Sequence, residues 1–194
     1  MTAQVPDTLQ YDDHSYSIAA IERDWPFHPD ALGLREGQPA AACTACWRGH
    51  VGHYAVRDGR LYLVRLGLLA GPNPPSAWDG IPPGDKPDSM GLWEYQDLFH
   101  PVPYSGGVVI AREFIQEFYV HMGFQHPIGY EVVHELRFDR GALQSATDHS
   151  ARMAELRHLV RSGHPEQAGI SCCSTNVARL IEDAFSLSYE KKWR

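Results

Sequence analysis

The sequence predicts an α+β fold, with an antiparallel, strand-rich sheet over about residues 15–145 followed by two C-terminal helices. β-favouring segments separated by Gly- and Pro-rich turns occupy the first part of the chain. Apolar residues at a clear helical spacing follow only after about residue 148. With 194 residues, 43% of them hydrophobic, the chain can bury a substantial core. We therefore expect residues 1–194 to form a single domain.

The first predicted strand covers residues 16–21. It ends before Trp25 and Pro26, because a residue that precedes proline is driven out of helical geometry. A further strand is predicted at residues 108–111. Residues 112–122 fit both a helical stripe and a strand, and their β-favouring neighbourhood favours the strand.

Two hairpins give the clearest local signals. Residues 50–56 and 60–66 are rich in β-favouring side chains, and Asp58-Gly59 between them supplies the left-handed backbone that a tight turn requires. Residues 130–144 repeat the pattern around Asp139-Arg140-Gly141. Two such turns predict antiparallel pairing.

Residues 70–91 contain six prolines and several glycines, which sustain neither a strand ladder nor a helix. We expect a surface loop. Four aromatic residues lie in or beside it: Trp78, Trp93, Tyr95 and Phe99. Such side chains can anchor a protein partner. The alternative is that they pack back onto the sheet.

The C-terminal part, about residues 148–188, is predicted to be a helical pair. In the first helix, over about residues 148–162, apolar residues recur at helical spacing, and Gly163 and Pro165 follow as a stop signal. The second helix, over about residues 175–188, has an apolar face and Ser174 as its N-cap.

Charge and hydropathy exclude several classes of protein. The formal net charge is −7, and Lys and Arg are scattered singly, so the basic stripe of a nucleic-acid-binding protein is missing. The chain shows neither a secretion signal nor an apolar stretch long enough for a membrane span. We expect a cytoplasmic protein, with no membrane or nucleic-acid partner, whose cysteines stay reduced.

The run Cys46-Trp47-Arg48-Gly49, followed by a β-favouring segment and then Asp58-Gly59-Arg60-Leu61-Tyr62-Leu63, carries a family resemblance. It resembles a group of uncharacterised bacterial proteins with W-R-G and D-G-[KR]-L-Y-L hairpin motifs. The resemblance covers about residues 43–143 and implies a β-rich core. Proteins of this kind are often small interaction or immunity modules of bacterial toxin systems, which is an association at the level of the fold.

Cys43, Cys46, His50 and His53 have the spacing C-x2-C-x3-H-x2-H, and all four side chains can bind zinc. Residues 50 and 53 fall in a predicted strand, where they point to opposite faces. The spacing also leaves almost no loop between the two pairs of ligands. We therefore expect no zinc and no cofactor, and keep the four-residue zinc site as the alternative.

Cys172 and Cys173 precede the last predicted helix, where backbone N–H groups can lower the pKa of a thiol. The strand of His53 is similar to the histidine strand of permuted papain-like hydrolases, in which a cysteine on a later helix is the nucleophile. That resemblance implies a cysteine-dependent hydrolase or transferase that uses Cys172 or Cys173 with His53. The sequence shows no clear third polar residue, and the alternative reading is buried structural cysteines.

His121, Glu131, His134 and Glu135 place further ionisable groups on the second half of the predicted sheet. Strand alternation brings no tight cluster together, so we interpret them as a solvated face.

These observations favour a non-catalytic protein-binding module, for example an immunity-type protein that covers a basic toxin surface. Its expected contact residues are Trp78, Trp93, Tyr95 and Phe99, in or beside the 70–91 loop, and the acidic Asp85.

Overall fold

The computed structural model describes residues 2–34, 43–163 and 185–193. Its nine strands are β1 (Thr8–Tyr11), β2 (His14–Ile21), β3 (His50–Arg57), β4 (Arg60–Leu69), β5 (Leu92–Tyr95), β6 (His100–Pro101), β7 (Gly106–Phe114), β8 (Tyr130–Asp139) and β9 (Ala142–Asp148). The helices that lie wholly within these residues are α1 (Ser150–Arg161) and the single turn α2 (Tyr189–Lys192). Short 3-10 turns lie at Pro29–Leu32, Gln116–Phe118 and Pro127–Gly129.

Seven of the strands pair in a closed ring. The pairing order is β3-β1-β2-β7-β8-β9-β4, and β4 pairs again with β3. The β4–β9 seam is the weakest part of the ring, since Arg60 and Ala142 are its one residue pair. β5 and β6 add to the free stretches of β4. All the named pairs are antiparallel except β1–β3, which is parallel.

Side chains that alternate along the strands fill the inside of the ring. On β4, Leu61, Leu63, Leu66 and Leu68 are all buried in the main hydrophobic cluster. The step from Leu63 to Leu66 breaks strict alternation because the β3–β4 register shifts between His53 and Tyr54. On the N-terminal side of this irregularity, Arg60 and Tyr62 alternate with the buried leucines and face the outside of the ring.

Both predicted hairpins are confirmed. In the β3–β4 hairpin, Asp58 and Gly59 have φ of 48° and 69°. In the β8–β9 hairpin, Arg140 and Gly141 have φ of 46° and 78°. Positive φ at both central residues defines the tight turn that matches the right-handed twist of the flanking strands.

Helix α1 is confirmed at close to its predicted bounds and packs on β8. Met153 lies in the second hydrophobic cluster. The buried Arg157 donates to the carbonyl oxygens of Ile128 (3.2 Å) and Tyr130 (2.6 Å), and its other terminal nitrogen reaches Glu131 Oε2 at 3.0 Å. These bonds satisfy a guanidinium that would otherwise be costly to bury.

The expectation of an antiparallel sheet followed by two C-terminal helices is wrong. The sheet is mixed, because β1 runs parallel to β3. In the described residues, one helix longer than a single turn follows the sheet. Most of residues 175–188 lie outside the described residues. At their end, Ser188 forms a parallel bridge with Ile21, and the Leu187 carbonyl accepts from the Ile21 N–H at 2.7 Å, so this part is extended.

Residues 70–91, predicted to be a loop, and residues 112–122, which fitted both a helix and a strand, can now be described. Residues 70–91 form neither a helix nor a named strand, although Trp78 and Ile81 form an isolated bridge. Residues 112–114 continue strand β7, and a 3-10 turn follows at Gln116–Phe118. Among the described residues, the helices are all too short or too polar to cross a bilayer.

Candidate functional site

Two of the four predicted anchor residues are buried and hold the 70–91 loop from beneath. The Trp93 indole Nε1 donates to the carbonyl of Gly71 at 3.0 Å, and the Tyr95 hydroxyl donates to the carbonyl of Ser76 at 2.7 Å. Both rings lie in the main core. Their size and their polar atoms therefore serve to fix the loop on the sheet.

Trp78 is half-buried. Its ring lies 5.3 Å from the ring of Phe27 and 5.0 Å from that of His100, measured between centroids. Asp85 is exposed in the loop. The structure thus places Trp78 at the edge of the core and Asp85 on the surface.

Phe99 is the most exposed of the four anchor candidates, with 66% of its surface open to solvent. It precedes the short strand β6, and the neighbouring Leu98 is buried, since successive extended residues point to opposite sides. The Leu98 N–H donates to the Val64 carbonyl at 3.0 Å, which fixes this segment along β4. The Phe99 ring stacks on Tyr62 of β4, with centroids 4.2 Å apart and planes 16° apart.

A polar groove of about 390 Å³ lies on the outer faces of β1, β3 and β4. It forms because Thr8 of β1 pairs with His53 of β3, and His53 pairs with Arg65 of β4. Its lining comprises Thr8, Gln10, Ser15, His53, Tyr54, Arg57, Val64, Arg65, Gln96 and Asp97. The chain segment that supplies Gln96 and Asp97 continues to Leu98 and Phe99.

His53 lines this groove and is half-buried. Its Nδ1 lies 2.8 Å from the hydroxyl of Thr8. Burial and the nearby Arg65 guanidinium lower the pKa of its imidazole below the ordinary value. One terminal nitrogen of Arg65 lies 3.3 Å from Nδ1 and 3.2 Å from Nε2. A nitrogen nearly equidistant from both ring nitrogens lies over the face of the ring.

The groove carries more positive than negative charge. Arg57 and Arg65 both line it and are exposed, and Asp97 is the acidic residue among the described lining residues. Arg57 donates to Gln10 Oε1 at 3.0 Å. Arg65 reaches Glu94 at 4.0 Å, the outer limit of an ion pair. Each guanidinium group has more N–H donors than these contacts use.

A buried ion pair beneath the groove fixes β1 against β3. Asp7 has a fully buried side chain, and its carboxylate accepts two bonds from Arg48, at 2.9 and 3.1 Å, and one from the Gly52 N–H at 2.7 Å. The Arg48 guanidinium lies 3.7 Å above the Trp25 ring. The arginine of the W-R-G motif is therefore a structural residue. Its partner could not be predicted from sequence, because Asp7 lies 41 positions away from Arg48.

Two of the four predicted zinc-competent side chains, those of Cys46 and His53, have hydrogen-bonding partners elsewhere. Cys46 is buried, burial raises the pKa of its thiol, and its Sγ donates to the His50 carbonyl at 3.4 Å. His53 is directed to Thr8, and Cys43 is half-buried. The described residues bring no group of three or more His, Cys, Asp or Glu side chains together in a metal-binding arrangement.

Cys172 and Cys173 lie outside the described residues. The distance from either sulfur to His53 is therefore not part of this structure, and the cysteine-dependent hydrolase stays a hypothesis from sequence.

The second half of the sheet holds an ionic network that sequence spacing did not single out. Glu135 accepts from the Tyr189 hydroxyl at 2.8 Å and from Arg137 at 3.0 Å, and its other oxygen lies 3.3 Å from His149 Nε2. Burial raises the pKa of Glu135, but these hydrogen bonds outweigh it and hold the pKa below the usual value. Burial and the contact with Glu135 raise the pKa of Tyr189 far above its usual range.

The other predicted ionisable residues do not join this network. Glu131 pairs with Arg157, and His121 is exposed. His134 is half-buried, with its ring near Tyr11 and Tyr16. The expectation of a purely solvated face is therefore wrong at Glu135, where the side chain is 16% exposed.

No protein family, curated protein or solved structure matches the chain.

Proposed function

We propose that this protein is a non-catalytic protein-binding module whose contact surface is centred on the Phe99–Tyr62 stack. The observation that carries the proposal is an exposed aromatic ring held in one place. Phe99 is two-thirds exposed, yet the ring beneath it and the backbone bond of Leu98 restrict its motion. A rigid, exposed aromatic ring loses little entropy on binding, which is the property of an interface anchor.

The acidic composition of the chain segment that carries this anchor favours a basic partner. Residues 70–99 contain five acidic side chains and one lysine. Asp79, Asp85 and Asp97 are all exposed. Exposed carboxylates on the contact segment would attract a positively charged surface and disfavour acidic partners.

This combination suits an immunity-type protein that neutralises a basic toxin, and the proposed compartment is the cytoplasm. The motif resemblance and the acidic net charge of the chain support the role of an immunity-type protein.

The test compares captured proteins across matched variants. Immobilised wild-type protein and the variants Phe99→Ala, Tyr62→Ala and Tyr119→Ala are incubated with a bacterial lysate, and bound proteins are identified by mass spectrometry. Tyr119 is an exposed aromatic residue that packs against Phe114 and His121, and it serves as the control. We expect a basic protein that binds wild type and Tyr119→Ala but is lost from Phe99→Ala.

Quantitative binding to that protein completes the test. Phe99→Ala should weaken binding by about 2 kcal/mol, as removal of a central anchor does. Raising salt should slow association, because the Debye length falls below about 10 Å above 0.1 M. Equal capture by wild type and Phe99→Ala, or recovery of no protein, would refute the proposal.

A further inference from the structure

We propose that the groove around His53 binds a small organic anion through a terminal carboxylate or phosphate group. This inference goes beyond the proposed protein-binding function, since it concerns the polar groove and needs no protein partner.

Arg57 and Arg65 provide the groove with cationic hydrogen-bond donors. Arg57 uses one terminal nitrogen to donate to Gln10, and no other bond of this side chain is made by the described residues. The ion pair of Arg65 with Glu94 is at the limit of contact, and the other terminal nitrogen of Arg65 covers the His53 ring. Each guanidinium therefore retains N–H groups in the fork that matches a carboxylate or phosphate.

The rest of the lining suits an oxyanion with an organic body. Thr8 and Ser15 supply hydroxyl groups, and Gln10 and Gln96 supply amides. The volume of about 390 Å³ falls within the range of small-molecule sites, which is roughly 300–1,000 Å³. Inorganic ions alone would leave most of it filled with water.

The charge balance also selects an anion. Among the described lining residues there are two guanidinium groups and one carboxylate, Asp97, and a second carboxylate, Glu94, lies just outside the lining, 4.0 Å from Arg65. The whole chain, in contrast, has a net charge of −7. A positive groove on an acidic protein concentrates anions at one place. Asp97 can accept a hydrogen bond from a hydroxyl or ammonium group elsewhere on the ligand.

The test is a titration followed by NMR on the full chain at fixed pH and ionic strength. Sodium phosphate and sodium glutarate are the two probes, and sodium chloride is the control. We expect the signals of the His53 ring and of the Arg57 and Arg65 side chains to shift and saturate with at least one probe. Saturation with phosphate alone identifies a phosphate site, and saturation with glutarate alone a carboxylate site.

Two variants make the result specific. Arg57→Gln combined with Arg65→Gln should weaken probe binding about tenfold or more, because charge-assisted hydrogen bonds are lost. Arg140→Gln, at an exposed arginine in the β8–β9 turn, should bind as wild type does. The proposal is overturned if neither probe saturates, if chloride produces the same shifts, or if the double variant binds both probes unchanged.

Discussion

At the scale of single residues, the buried Asp7–Arg48 pair has the largest expected effect. Asp7→Asn removes the charge that compensates a guanidinium only 13% exposed and disturbs three hydrogen bonds. We expect a loss of about 3 kcal/mol in the free energy of unfolding, as for other broken buried pairs. Urea denaturation measures it.

Asp85→Asn is the matched control, since Asp85 is exposed in the loop. It should change the free energy of unfolding by no more than about 0.5 kcal/mol. If Asp7→Asn were equally mild, the pair would not hold β1 against β3.

Glu135 is expected to make stability depend on pH on the acidic side. Its pKa is lower in the folded protein than the ordinary value of 4.5. Its contribution is therefore fully present above the unfolded pKa and is lost as the pH falls through the folded pKa. Thermal melts between pH 7 and pH 3 should show a steeper loss for wild type than for Glu135→Gln. Parallel curves for the two proteins would contradict this.

At the scale of elements, the glycines of the two hairpin turns have the same backbone but different surroundings. A Cβ at Gly59 would meet nothing within 4 Å, whereas a Cβ at Gly141 would lie 2.5 Å from the Val102 carbonyl oxygen. Gly59→Ala should cost about 1 kcal/mol, from left-handed backbone strain alone. Gly141→Ala should cost about 2 kcal/mol more, because it also overlaps the neighbouring backbone.

Denaturant titration of both variants checks this difference. Equal costs would mean that the Val102 segment moves away easily, and the Gly141 turn would then not be tightly packed.

Elements that depend on local chemistry were predictable, and elements that depend on distant partners were not. Asp58-Gly59 and Gly163 are local signals, and the hairpin and the end of α1 follow from them. The parallel β1–β3 pair joins residues 8–10 to residues 53–55, and no local pattern encodes that choice. The extended segment before α2 is likewise set by a remote partner, because its Leu187 carbonyl bonds to Ile21 of β2.

The residues of the candidate sites also fall into those that local sequence could identify and those that depend on distant strand pairing. Phe99 and His53 were identified from sequence, the first by its place beside a Pro-rich loop and the second by its strand. Arg57 and Arg65 were not, because their meeting with Thr8 requires the β1–β3–β4 pairing. Trp93 and Tyr95 are aromatic residues beside the Pro-rich loop, as Phe99 is. Only the packing of the folded chain shows that the first two are buried and that Phe99 is exposed.

At the scale of the whole molecule, the ring of strands should fold slowly. Its closure joins residue 60 to residue 142, and the β1–β3 pair joins segments about 45 residues apart. Long loops must close before these contacts stabilise anything. Stopped-flow fluorescence after dilution from urea should show refolding in milliseconds to seconds. Refolding within microseconds would mean that local contacts dominate.

The seam between β4 and β9 is where the two hairpin turns meet. The Leu61 N–H donates to the Gly141 carbonyl and the Leu143 N–H to the Gly59 carbonyl, both at 2.8 Å. Separating these two turns would open the ring while both hairpins stay intact. The amide hydrogens of Leu61 and Leu143 should therefore exchange with deuterated water together, and earlier than those in the β3–β4 ladder. The ring would then open and close through the breaking and re-forming of this reciprocal pair of backbone hydrogen bonds.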